Sequence, residues 1–288
     1  MKIWHKHYLI LVILSIIWGS SFILMKRSLE SFTALEVASL RIFIAFVSLL
    51  PFVFNDFSKL RKSQIVPLII VGFLGNAVPA FLFALSQEVL NSSFVGTLNS
   101  LTPIFTLLFG WFFFGNDFSL SKFYGVLIGL FGSILLFLSG SSMQSDISFP
   151  VFYVIIATMC YAISINVIRE KLDKLPSIAI TSISFLFIGP IAGIFVGNID
   201  LISILNTESG FVSFNYIVVL SLVCTSFPVI LFNILVKKTS SVFASSVTYL
   251  IPVVAIFWGM LDNELIKFSH FLSMAIILLG IYIVNDKK

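Results

Sequence analysis

Charge is scarce in this 288-residue chain: Asp, Glu, Lys and Arg make up only 10% of it, against 59% hydrophobic residues and a mean hydropathy of +1.11. A soluble domain carries about 25% charged residues, so that class is excluded. Histidine and cysteine are sparse too, at three and two. His5, His7 and His270 fall at or near the ends of apolar runs, and no H-E-x-x-H, G-x-S-x-G or Asp-rich string occurs. The nucleophiles, metal ligands and paired acids of a membrane enzyme are therefore not in evidence. Cys160 and Cys224 sit inside apolar runs without metal-ligand spacing, which argues against a structural disulfide, and no motif calls for a metal or cofactor.

What the chain has instead is apolar length. Ten runs recur, at approximately 8–25, 34–54, 65–85, 92–114, 122–139, 149–168, 177–197, 214–236, 240–261 and 267–284. A helix needs roughly 20 apolar residues to cross the hydrocarbon of a bilayer, so the expectation is an all-α integral membrane protein of ten transmembrane helices. Lys2 and Lys6 before the first run resemble a secretory leader, but the run continues to Met25 and meets Lys26–Arg27 rather than small residues. It reads as the first span. With the N-terminus in the cytoplasm, Lys2, Lys6, Lys59, Arg61, Lys62, Lys122, Arg169, Lys171, Lys174, Lys237, Lys238, Lys287 and Lys288 all fall inside, against Lys26, Arg27 and Lys267 outside. That bias predicts cytoplasmic termini. It also accounts for the net charge of +4, so nucleic acid is not implied as a partner.

Proline marks a duplication. Pro79 and Pro103 recur as Pro228 and Pro252, each shifted by 149 residues, and the stretch 79–110 aligns with 228–259 without a gap. Leu82/Leu231, Phe83/Phe232, Ser92/Ser241, Phe94/Phe243 and Leu101/Leu250 are identical at this offset. Proline inside a helix removes a hydrogen bond and clashes with the preceding turn, so paired prolines carry more weight than paired leucines. The polar stretch 140–148 divides the chain into repeats at 1–140 and 141–288 with five spans each. An odd number of spans per repeat inverts the second relative to the first, the plan of many secondary transporters. At an offset of 143, Trp18 falls on Tyr161, Ser21 on Ser164 and Lys26 on Arg169.

The segments WGSSFILMK (Trp18–Lys26), LEVASLRIFIAF (Leu35–Phe46), ALSQEVLNSSFVGTLNSLTPIFTLLFGWFFFGN (Ala84–Asn116), GVLIGLFGSILL (Gly125–Leu136) and SSVFASSVTYLIPVVAIFWGMLDNE (Ser240–Glu264) resemble the EamA-type branch of the drug/metabolite transporter superfamily. The resemblance spans nearly the whole chain, except that CYAIS (Cys160–Ser164) stands where the first half has Trp–Gly. It implies ten helices as two inverted repeats, cytoplasmic termini in a bacterial inner membrane, and export of small metabolites, amino acids or drugs through a central cavity. A channel or a sensor without alternating access is the alternative.

Polar groups at bilayer depth are costly and mark pathways. At about 1.5 Å per residue, Trp18, Asn76, Tyr161, Thr225 and Tyr249 come out near the midplane. Asn76 and Thr225 are repeat mates three residues before Pro79 and Pro228, where a freed carbonyl could face a cavity. They suit a polar or zwitterionic solute, or else join neighbouring helices. Asn99 and Thr102 precede Pro103, and Thr248 and Tyr249 precede Pro252. Ser21 completes the candidate set with Arg41, the one Lys or Arg well inside a span. Three roles are open to Arg41: a structural or gating contact, a substrate carboxylate, or snorkelling outward. Glu36, Glu88, Asp262 and Glu264 fall towards span ends, leaving no evident proton relay. Gly125, Gly129 and Gly132 share a helix face that serves packing within one chain or a homodimer.

Overall fold

The computed structural model describes residues 2–56, 60–140, 149–254, 258 and 268–285, and among them the regular structure is entirely helical. In chain order the helices are α1 (Lys2–Ser28), α2 (Ala34–Asp56), α3 (Lys62–Gln87), α4 (Phe94–Phe114), α5 (Leu120–Gly140), α6 (Pro150–Lys171), α7 (Ser177–Val196), α8 (Glu208–Lys238), α9 (Ser241–Val254) and α10 (Phe268–Asn285). Seven of them are long and apolar enough to cross a membrane, while α5, α9 and α10 have shorter apolar stretches. The linker 141–148, Lys59, Gly259, Asp262, Glu264, Lys267, Lys287 and Lys288, on which parts of the sequence reading rest, lie outside the described residues.

The connection between α7 and α8, residues 197–207, contains an unexpected short helix, Leu201–Leu205. Asp200 caps it, accepting hydrogen bonds from Ser203 Oγ at 2.7 Å and Ser203 N at 3.2 Å. Both favour the ionised form and hold this carboxyl below its ordinary range.

Helix contacts come in exchanged pairs. α3 packs on α6 as α8 packs on α1, α2 touches α8 as α7 touches α3, and α4 meets α5 as α9 meets α10. α2 also packs along α7, and α5 along α10. In both, glycine lets the backbones approach: Gly193 faces the Phe43 ring, and Gly125, Gly129 and Gly132 face α9 and α10. The glycine face of α5 is thus occupied within the chain. Two apolar clusters fill the interior, one around Leu14, Ile180 and Leu235, the other around Ala38, Phe185 and Leu220. Trp18 and Tyr161 touch both clusters and stand where they meet.

Candidate functional site

The four paired prolines build the site. Pro79 and Pro228 each follow a π turn, at Phe73–Ala77 and Leu222–Ser226, again 149 residues apart. The widened turns are closed by Val78 N–H to Phe73 O and Phe227 N–H to Leu222 O. Such single π turns inside α-helices are rare and frequent at functional sites. In each, a side chain takes up a carbonyl five residues back: Asn76 Nδ2 donates to Val71 O at 3.1 Å, and Thr225 Oγ1 donates to Leu220 O at 2.9 Å. Pro103 and Pro252 instead follow tight 3₁₀ turns, Asn99–Leu101 and Ser246–Tyr249.

Because proline has no N–H, the carbonyl four residues before each one loses its α-helical partner. Those carbonyls belong to Gly75, Cys224, Asn99 and Thr248. Trp18 Nε1 donates to Cys224 O at 3.1 Å, Thr102 Oγ1 to Asn99 O at 2.8 Å and Ser100 Oγ to Thr248 O at 3.1 Å. Gly75 borders the central cavity and lies so close to α6 that an added Cβ would overlap Ser164 Oγ.

That cavity has a volume of about 100 Å³ and lies between α1–α4 and α6–α9. Of the residues singled out in the sequence it is lined by Trp18, Ser21, Arg41, Asn76, Asn99, Thr102, Tyr161, Thr225 and Thr248. The walls themselves pair across the repeat: Trp18 packs edge-on to Phe232 at 5.1 Å, and their mates Tyr161 and Phe83 stack at 5.8 Å. Asn76 and its mate Thr225, and Asn99 and its mate Thr248, all line this one space. The first half contributes amides where the second contributes hydroxyls. Arg41 does not snorkel outward: its Nε donates to Thr225 Oγ1 at 2.7 Å and its side chain borders the cavity.

Tyr249 is corrected by the structure. Its side chain is fully buried outside the cavity, its hydroxyl donates to Val126 O at 2.8 Å, and its ring lies on Gly129, where a Cβ would come within 2.7 Å. Depth estimated from the sequence carries no azimuth, and the 3₁₀ turn before Pro252 rotates this residue towards α5. Tyr249→Phe should therefore cost about 1 kcal/mol of stability, the net worth of one hydrogen bond, and leave transport kinetics unchanged. Thermal melting and flux on the same preparation check both halves.

Sequence reasoning missed Asn233 and Ser164, which also line the cavity. Asn233 Nδ2 donates to Thr181 Oγ1 at 2.9 Å, while its Oδ1 has no partner among the described residues. A buried amide in an apolar helix was the available signal. Among the described residues no group of three or more His, Cys, Asp or Glu is placed to hold a metal ion.

Comparison with known proteins adds the rest. The model of the EamA-like transporter family matches residues 5–138 and again 148–286. An uncharacterized transporter of Archaeoglobus fulgidus is 25% identical over 98% of this chain and 100% of its own length. The uncharacterized inner membrane transporter YedA of Escherichia coli K12 is 25% identical over 96% of this chain and 89% of its own. YoaV of Bacillus subtilis, an uncharacterized transporter, is 24% identical over 94% of each. A crystal structure sharing 13% identity superposes with a TM-score of 0.73 over 97% of this chain and 96% of its own, a likeness of fold.

Proposed function

The chain belongs to the EamA-like transporter family, and from that premise we propose that it exports small polar solutes across the bacterial inner membrane by alternating access. In this reading residues 1–140 and 141–288 are inverted five-span repeats that rock about the central cavity, with both termini in the cytoplasm. The observation that carries it is the pairing of the cavity walls. Residues 143 or 149 apart line one space, as Trp18 with Tyr161 and Asn76 with Thr225 do. A substrate site at the interface of two repeats, built on interrupted helices, is what such transporters use. The π turns at Phe73–Ala77 and Leu222–Ser226 supply those interruptions. The name of the Escherichia coli relative supports the location.

Proteoliposomes containing the purified chain test this by saturable efflux of small carboxylates, amino acids and related metabolites. Asn76→Ala should lower kcat/KM about tenfold, as loss of one hydrogen bond to substrate would. Absence of flux for every solute, from protein that melts normally, would remove the reading. Unitary currents of open-pore size would replace it with a channel.

A further inference from the structure

We propose that the cavity selects solutes of net negative charge, a carboxylate or similarly compact anion on an apolar body, with the Arg41 guanidinium as its counter-charge. This rests on the transporter reading of the same cavity.

Arg41 borders the cavity, and among the described residues no Asp or Glu does. The two carboxylates nearest the start of α2 are engaged elsewhere. Glu36 Oε2 accepts from Thr33 N at 2.8 Å and Thr33 Oγ1 at 3.0 Å, and Glu88 Oε1 accepts from Ala34 N at 3.1 Å. The ion pair found among the described residues, Arg27 with Glu30, lies on the exposed end of α1. A cation taken out of water and left unpaired is strongly disfavoured. The cavity therefore presents a charge that an anionic occupant would neutralise.

The guanidinium is also aimed. Leu220 O accepts from Thr225 Oγ1 beside the second π turn, and that hydroxyl accepts from Arg41 Nε. Tying Nε leaves Nη1 and Nη2 as a two-pronged donor, the geometry that receives a carboxylate. At an offset of 143 the equivalent of Arg41 is Ser184, so the duplication supplies one cation and not two. Around it stand Trp18, Phe83, Tyr161 and Phe232, apolar walls for the body of the solute. An ammonium group would meet like charge and no carboxylate. An inside-negative membrane potential drives anions outward, so export of this class needs no proton relay.

Four near-isosteres separate the charge classes: 3-phenylpropionate, 3-phenylpropanamide, phenylalanine and phenethylamine. Calorimetry on the purified full chain should show the acid binding about tenfold more tightly than the amide, the scale of a charge-assisted hydrogen bond, with the zwitterion and amine weaker still. Arg41→Gln should bring the acid-to-amide ratio to about one, and Arg41→Lys should retain part of it. Thr225→Val keeps the charge but unties Nε, and should cut the ratio severalfold even if the glutamine variant fails to fold. An amide that binds as well as the acid, a ratio untouched by the Arg41 and Thr225 substitutions, or no binding of the acid would each overturn the proposal. Flux assays on the same four probes keep the two readings apart. Saturable flux without preference for the acid overturns the anion class alone. Selective binding of the acid without flux of any probe upholds the anion site and overturns transport.

Discussion

Gly280→Leu is expected to yield almost no folded protein. A Cβ at Gly280 would stand 2.5 Å from Gly129 N, 2.7 Å from Gly129 Cα and 2.8 Å from Gly125 O. All three are backbone atoms of α5, so no rotamer change relieves the overlap and the two helices must separate. Apolar packing in hydrocarbon gains nothing from excluding water, and association there depends on close van der Waals contact and hydrogen bonding. Separation would also pull Gly132 away from Ile277 and loosen the seat of Tyr249 on Gly129. Overpacking costs typically 1–3 kcal/mol and more where nothing yields, so a loss of about 3 kcal/mol or more is expected, a large share of a typical 5–15 kcal/mol. Gly197→Ala is the control, because a Cβ there meets nothing closer than 3.6 Å. Fluorescence-detected gel filtration and thermal melting should show an aggregated, low-melting Gly280→Leu beside an unaltered Gly197→Ala.

How much of this was open to a reader of the sequence depends on which physical signal each feature leaves. Hydrocarbon demands long apolar helices with every backbone group satisfied, so composition alone points to a helical membrane protein. The prolines mark the π and 3₁₀ turns because a missing N–H shows in the sequence. The way each orphaned carbonyl is answered does not show, since Trp18, Thr102 and Ser100 reach theirs by tertiary packing or local turn geometry. Asn76 and Thr225 illustrate the limit. Pocket and helix-joining roles were both open: each bonds its own helix while it borders the cavity, and Thr225 also joins α2 by accepting from Arg41 Nε. Tyr249 shows the opposite failure: placed on the pathway from the sequence, its ring is buried against Gly129 of α5 instead. Arg41 stands between the two. Its position within a span is plain from the sequence, but its inward course depends on Thr225, 184 residues away.

Pro228→Ala should separate stability from function. A π turn is one extra residue in an α-helix, held here because residue 228 cannot donate to Cys224 O. Alanine restores that N–H and removes the ring clash, so the turn is free to revert to α geometry. Proline in a helix interior is disfavoured by about 3 kcal/mol relative to alanine, and the melting temperature should stay level or rise. Reversion would rotate one side of the helix against the other by about 100°, one residue of α-helix. Thr225 would then leave Arg41 Nε, now 2.7 Å from its hydroxyl, and Cys224 O would exchange Trp18 Nε1 for a backbone donor. With the guanidinium unaimed and the Trp18 ring untied, transport should fall at least about tenfold, the worth of roughly 1.4 kcal/mol in the productive geometry. Pro190→Ala provides the contrast: Pro190 lies inside α7 and does not border the cavity, so the same exchange should leave flux unaltered. Equal flux in Pro228→Ala and the parent chain would mean that the π turn does not hold the transport geometry. The aiming of Arg41 through Thr225 would fall with it.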